Sequence, residues 1–288
     1  MEKAVIILIK AKGLLSLMNF IQLFNQNKEH LTKSEAKLAN YIATHQERVI
    51  YDTIKSLSEN TQTSDATIIR LCKKLGFSGF SNLKIALAQE SMTQSNTNKN
   101  KSEFYSDSAN LLVDSIKKTE NLIVPEKLQA AVKLLSKAKR VYLFGVGHSG
   151  ESANDFAKTW LRIGLIAHAE VDPHLQVQIS SLLSKKDVVV GLSLSGHTKD
   201  TYDSLKLAKN NGAGIITISN DLNSPVAELG DVQLQTAVSE FTSIGSVSGQ
   251  VSQLYLCDVL ARGYELYAKI DTREIKEQVL HEILKKEI

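Results

Sequence analysis

Cysteine is nearly missing from this sequence: Cys72 and Cys257 are the only two among 288 residues. Each lies among apolar residues at helical spacing. They read as buried free thiols of a reducing compartment, the cytoplasm, with no disulfide framework. Metal-ligand spacings of Cys and His are absent too, so neither a metal centre nor a cofactor is expected. The apolar run Ala4–Ile9 is broken by Lys10 and Lys12 and is too short to cross a membrane. It is not followed by the small-residue cleavage site of a secretory leader. Nor does one sign of charge dominate: 34 Lys and Arg stand against 31 Asp and Glu, a net +3. That balance permits nucleic-acid binding without demanding it.

With 43% apolar and 23% charged residues, the chain can bury sizeable cores, and its length suits one small and one ordinary domain. A second methionine, Met18, precedes NFIQLFNQ. Residues 1–17 read either as an upstream extension or as an ordinary N-terminal helix or strand. Residues 18–92 read as a small helical domain, 93–108 as a linker and 109–288 as a larger domain. The linker reading rests on SMTQSNTNKNKSEFYSDS (Ser91–Ser108), which is polar and poor in apolar residues.

Helical signals are clear in the small domain. Over Leu31–His45, Thr32 and Glu35 stand as a capping box ahead of a Leu38, Tyr41, Ile42 stripe. A second helix is expected over Thr53–Asn60, then a polar turn, Thr61–Thr63. A third opens at an N-cap, Ser64, and stops at Gly76; Ile68, Leu71, Cys72 and Leu75 fall on one face. The opposite face carries Ala66, Arg70 and Lys73, with Thr67 and Lys74 at its flank. Two short helices joined by a tight turn, the second with a small or basic outer face, describe a helix-turn-helix. Arg70 suits guanine, Ala66 or Thr67 a thymine methyl, and Lys73 and Lys74 phosphates. A plain three-helix bundle with a solvated face remains open. The nine basic against seven acidic residues of Met18–Met92 lend only slight support to DNA.

After helices near Ala109–Leu122 and following Pro125, strands and helices alternate. Strands are expected near Val141–Phe144, Leu165–Val171, Asp187–Leu194, Gly214–Ser219 and Asp231–Thr236. Helices are expected over Ser149–Ile163, Leu175–Leu183, Thr198–Asn211 and Ser246–Tyr267, with a short one after Pro225. Such short crossovers imply an α/β domain, a parallel five-stranded sheet in a three-layer arrangement with helices on both faces. A final amphipathic segment, Thr272–Lys286, is a packing or dimerisation helix, or a frayed tail.

Two of the strands end in hydroxyl-rich turns. GVGHSG (Gly145–Gly150) follows the first and has the GxGxxG spacing, but no acidic residue closes the second strand in the way a dinucleotide site expects, though Glu170 and Asp172 lie near. DVVVGLSLSGHT (Asp187–Thr198) is a buried strand running into small and hydroxyl residues just before a helix. Free N–H groups, the positive end of a helix dipole and several hydroxyls make such a turn an anion site. In open α/β sheets this carboxyl edge is where ligands bind.

These two turns resemble those of the sugar isomerase (SIS) domain, which bind the phosphate of phosphosugars. LTKSEAKLANYI and SDATIIRLCKKLGFSGFSNLKIAL resemble the N-terminal helix-turn-helix of RpiR-type transcriptional regulators, which join the two modules in this order. The resemblance spans about Leu31 to Tyr267. It implies a regulator of carbohydrate genes that binds an inverted-repeat operator in double-stranded DNA as a homodimer or homotetramer. A phosphosugar effector would sit on Gly147, Ser149, Ser193, Ser195, Gly196 and Thr198, with His197 and Glu240 near the sugar and no catalytic residue. His148 and His174 are further candidates. With 6% aromatics and one Trp, Trp160, no stacking platform for the sugar ring is expected. Two other readings stay open. One is a phosphosugar isomerase using Glu240 or a His as base; the other is a phosphosugar-binding module that acts on a protein partner.

Overall fold

The computed structural model describes residues 19–96, 104–238, 246–267 and 271–286, the side chains of 47 and 91–96 excepted. The chain divides into two compact units, Met1–Ser102 and Glu103–Ile288. Residues 1–17 and Glu240 lie outside the described residues.

The first unit is helical: α1 Phe20–Asn27, α2 Lys33–Thr44, α3 Gln46–Tyr51, α4 Ile54–Thr61, α5 Asp65–Lys74 and α6 Phe80–Asn96. Side-chain caps set four of the starts. Asn19 and Thr32 form reciprocal capping boxes with Gln22 and Glu35, and Thr53 and Ser64 accept from the third residue of α4 and α5. Between α4 and α5 the chain reverses at Gln62, which takes a left-handed φ of 53°. Ile68, Leu71, Cys72 and Leu75 are all buried, as their spacing implies, against Leu38, Ile42 and Leu57. In α2, Ala39 is buried where Tyr41 was expected; Tyr41 is half-buried and stacks on His45 at 4.2 Å. Burial pushes the Cys72 thiol up to about 11, so it stays protonated and serves as a small apolar group.

The polar stretch Ser91–Ser108 is helical at both ends: α6 runs on to Asn96, and α7, Phe104–Glu120, begins before it finishes. The second unit continues with α8 Pro125–Lys137, β1 Arg140–Phe144, α9 His148–Leu161, β2 Ala167–Glu170, α10 Pro173–Ser181 and β3 Asp187–Leu192. Then come α11 Lys199–Asn210, β4 Gly214–Ser219, a 3₁₀ turn at Ala227–Leu229, β5 Val232–Gln235, α12 Ser248–Tyr267 and α13 Thr272–Leu284. Strands β2, β3 and β5 are two or three residues shorter in all than expected. Single backbone hydrogen bonds to β4 or the residue after it still run on at Ser193, Leu194, Asp231 and Thr236.

All strand pairs are parallel, in the order β2-β1-β3-β4-β5. Central β3 is buried along its whole length, and its residues alternate between two cores. Val188, Val190 and Leu192 join α8, α9 and α12 on one face. Val189 joins Leu205 and Ala208 of α11 on the other. Trp160 lies fully inside the first core, its indole N–H donating to the Cys257 carbonyl at 3.3 Å.

At the amino edge of β3, the fully buried Asp187 carboxylate accepts from Arg140 Nε and Nη2, both at 2.7 Å, and from Ser184 N and Oγ. The Arg140 hydrogen bonds hold its pKa down at about 2 against the ordinary 3.8. Because the folded value is the lower one, this stability is present above about pH 4 and is lost as pH falls toward 2. We therefore expect Asp187→Asn to lower unfolding stability at pH 7 by roughly 2 kcal/mol, less than for a fully buried pair because water can reach Arg140. In urea titrations the gap from wild type should narrow below about pH 4 and close below about pH 2.

Candidate functional site

The strand order sends the chain outward in opposite directions from β1 and β3. Their carboxyl ends flank this switch point, the place where open α/β sheets bind ligands. The two hydroxyl-rich turns stand there. The first leaves β1 through Gly147, whose φ of +58° excludes most side chains, and enters α9 with Ser149 in its first turn. The second leaves β3 through Ser193, Ser195 and Gly196 and enters α11 after Thr198.

Neither helix start is satisfied by its own cap. Gly147 has no side chain to offer. The Thr198 hydroxyl turns instead to Ser193 Oγ at 3.0 Å. Helix α10, by contrast, is closed by Asp172, which accepts from His174 N and Leu175 N. The first-turn N–H groups of α9 and α11 thus lack a side-chain acceptor and carry the positive ends of 14- and 12-residue helices. Glu151 and Asp200 oppose an anion from those first turns, but both are exposed and screened by solvent. Neither turn contains Lys or Arg. Lys199, the next residue after Thr198, pairs with Asp203 on its own helix.

The second turn is rigid. Gly196 N donates to Ser193 Oγ at 3.1 Å, and His197 N donates to Ser195 Oγ at 3.2 Å. Ser193 N, Asn220 N and Val226 N tie the turn to β4 and the segment after it. His197 Nδ1 lies 2.7 Å from the Ser195 carbonyl, which can only accept, so Nδ1 carries the proton and Nε2 is left as the acceptor when the ring is neutral. His148 and His174 are exposed.

Two buried glutamines that carry no sequence signal hold the first turn. Gln176 Nε2 donates to the carbonyls of Gly145 and Glu170, linking the ends of β1 and β2. Gln253, on α12, donates its Nε2 to Ser149 Oγ at 3.1 Å. Only the packing of α12 against α9 brings it there.

In the first unit, α5 presents Ser64, Ala66, Arg70 and Lys73 on its exposed side. Thr67 is buried instead, its hydroxyl bonded to Ser64 Oγ and accepting from Arg70 Nη2 at 2.9 Å. Lys74 is held at 2.7 Å by Glu35, a carboxylate whose pKa is lowered by that pairing and by the Thr32 hydrogen bonds against the opposing effect of burial. It also donates to the His30 carbonyl. The exposed face is therefore narrower than the flank positions suggested, because the first helical turn bonds to itself and the last turn bonds to α2.

Residues 18–94 match the helix-turn-helix domain of the rpiR family, and residues 134–262 match the SIS domain. An uncharacterised HTH-type transcriptional regulator of Clostridium perfringens is 34% identical over 84% of this chain and 91% of its own length. The HTH-type transcriptional regulator RpiR of Escherichia coli K12 is 30% identical over 80% of this chain and 81% of its own. Among solved structures, the Vibrio vulnificus NanR protein complexed with ManNAc-6P is 28% identical. Its alignment covers 93% of this chain and 99% of that one, with a TM-score of 0.77. No described helix is long and apolar enough to cross a membrane. The chain belongs to the RpiR family of helix-turn-helix transcriptional regulators, with a SIS domain as its second module.

Proposed function

We propose that this regulator senses a phosphosugar at the tips of β1 and β3 and changes its hold on DNA when the ligand binds. The observation that carries the reading is the meeting of two helix starts without side-chain caps and the hydroxyls of Ser149, Ser193, Ser195 and Thr198 at the switch point of the sheet. Such a set is made for phosphate oxygens: donors, dipoles and no fixed cation. Gly147 and Gly196 let the backbone come close, and His197 Nε2 is an acceptor for a sugar hydroxyl. The neighbour bound to ManNAc-6P supports the ligand class. The DNA-reading face would be Ser64, Ala66, Arg70 and Lys73, working in the cytoplasm as a dimer or tetramer on an inverted repeat. Thr67 and Lys74 would stiffen that helix.

In this proposal the same site is non-enzymatic. Isomerisation needs an acid–base group over the reacting carbons, and relatives matched along most of their length are named as regulators. A ligand can shift DNA affinity only if it binds two arrangements of the protein unequally.

Thermal unfolding against a panel of hexose and hexosamine phosphates tests the site. A phosphosugar at 100 times its Kd should add about 2.7 kcal/mol, a rise of roughly 5–10 °C in Tm. Ser195→Ala should shrink the rise, and the Ser149→Ala/Ser195→Ala double variant should abolish it. An undiminished rise in the double variant would mean that the ligand binds elsewhere.

A further inference from the structure

We propose that Gln253 is a positioning residue of the phosphate site: by donating to Ser149 Oγ it turns the Ser149 hydroxyl proton toward the ligand. The inference rests on the phosphosugar reading above and deepens it.

The three serines of the site share one feature. Each hydroxyl oxygen already accepts an N–H: Ser193 from Gly196 N, Ser195 from His197 N, and Ser149 from Gln253 Nε2. A hydroxyl has one proton and two lone pairs. Where an N–H points at the oxygen, the hydroxyl proton cannot point back along the same line and must leave in another direction. A phosphate dianion is an acceptor only, so a serine hydroxyl turned out as a donor is matched to it before it arrives; Ser193 and Thr198, bonded to each other at 3.0 Å, keep one of their two protons between them.

For Ser193 and Ser195 the orienting N–H belongs to the backbone of the same turn and survives any side-chain change. For Ser149 it comes from a side chain 104 residues downstream. Gln253 is itself buried, 1% exposed, so its amide is held without competition from water. The start of α12 is fitted closely at the site as well. A Cβ on Gly249 would come within 2.5 Å of Leu194 Cδ2, and Leu194 stands between Ser193 and Ser195. Helix α12 also packs along α7, α8 and α9. Ser149 is thus the hydroxyl whose polarity the rest of the domain can alter.

The test is calorimetric titration of the full chain with N-acetylmannosamine 6-phosphate, glucose 6-phosphate and inorganic phosphate. The proteins are wild type, Gln253→Met, Gln253→Glu, Ser149→Ala and the Ser149→Ala/Gln253→Met double variant. Methionine keeps the bulk and removes the donor, so Kd should rise about tenfold, the scale of one oriented hydrogen bond to a charged group. Glutamate offers only acceptors, draws the Ser149 proton to itself and adds a negative charge; Kd should rise at least a hundredfold. With Ser149 already alanine, Gln253→Met should change Kd less than twofold, since the amide then has no hydroxyl to orient. A residue that only packed would give Met and Glu variants unrelated to Ser149, and equal effects of Gln253→Met with and without Ser149 would overturn the proposal. So would wild-type affinity in Gln253→Met. In both cases the phosphate site itself would stand. If the wild type bound none of the three probes, the phosphate site would fall and this inference with it. Should Gln253→Glu fail to fold, the Met cycle decides alone.

Discussion

Replacing Arg70 with alanine should weaken binding to the operator by about tenfold to a hundredfold, the 1–3 kcal/mol of a specific base contact. Arg70 stands on the exposed side of α5, with Nη2 resting on the Thr67 hydroxyl. That rest fixes the guanidinium while its remaining donors stay in the fork geometry that pairs with guanine. Selectivity between operator and unrelated duplex should fall with affinity. Lys73→Ala should behave differently, weakening all sequences alike and reducing the salt slope by about one ion. Fluorescence anisotropy at several salt concentrations separates the two. Equal losses of operator and unrelated DNA for Arg70→Ala would assign it to the backbone and leave base reading to other residues.

Gly196→Ala should damage the ligand site more than any single serine replacement. Gly196 has a φ of +69°, and a Cβ there would lie 1.9 Å from Ser224 Oγ and 2.3 Å from Ser224 Cβ. Ser224 has little room to yield: it is buried and its hydroxyl donates to the Asp221 carbonyl at 2.6 Å. Backbone strain and overpacking together should cost about 2–5 kcal/mol, a Tm lower by roughly 5–15 °C. Moving the turn displaces the hydroxyls on both sides of it. Losing two hydrogen bonds to a charged phosphate would weaken binding more than a hundredfold, at about 1.5–3 kcal/mol each. Gly147→Ala is the control. Its φ is also positive, but a Cβ there would meet nothing within 4 Å, so only the backbone strain of about 1–3 kcal/mol applies. Similar melting temperatures for the two variants would show that the collision with Ser224 is absorbed.

Local pattern carried the elements of the chain and pointed to much of the candidate site. Ile68, Leu71, Cys72 and Leu75 declare their shared face by spacing alone, and all four are buried. The turns after β1 and β3 were legible because a strand, small hydroxyl residues and a helix start follow one another without a gap. What was not legible depends on partners remote in sequence. Thr67 and Lys74 look like surface residues on a helical wheel, yet one is buried and the other is taken by Glu35, 39 positions away. Gln176 and Gln253 are polar residues within helices and become parts of the site only when α10 and α12 fold back to the strand tips. The polar run Ser91–Ser108 marks the boundary between the two units, but its composition does not reveal that α6 and α7 reach into it.

Coupling between the proposed phosphosugar site and the proposed DNA-reading helix is measured by one titration. Operator DNA is titrated with the full-length regulator, with and without a phosphosugar that raises its Tm, in wild type and in Ser149→Ala/Ser195→Ala. Saturating phosphosugar should change the wild-type operator Kd by about 5- to 150-fold, the usual range of coupling between two sites, and leave the double variant unchanged. The same operator Kd with and without a ligand that demonstrably binds the wild type would contradict that coupling.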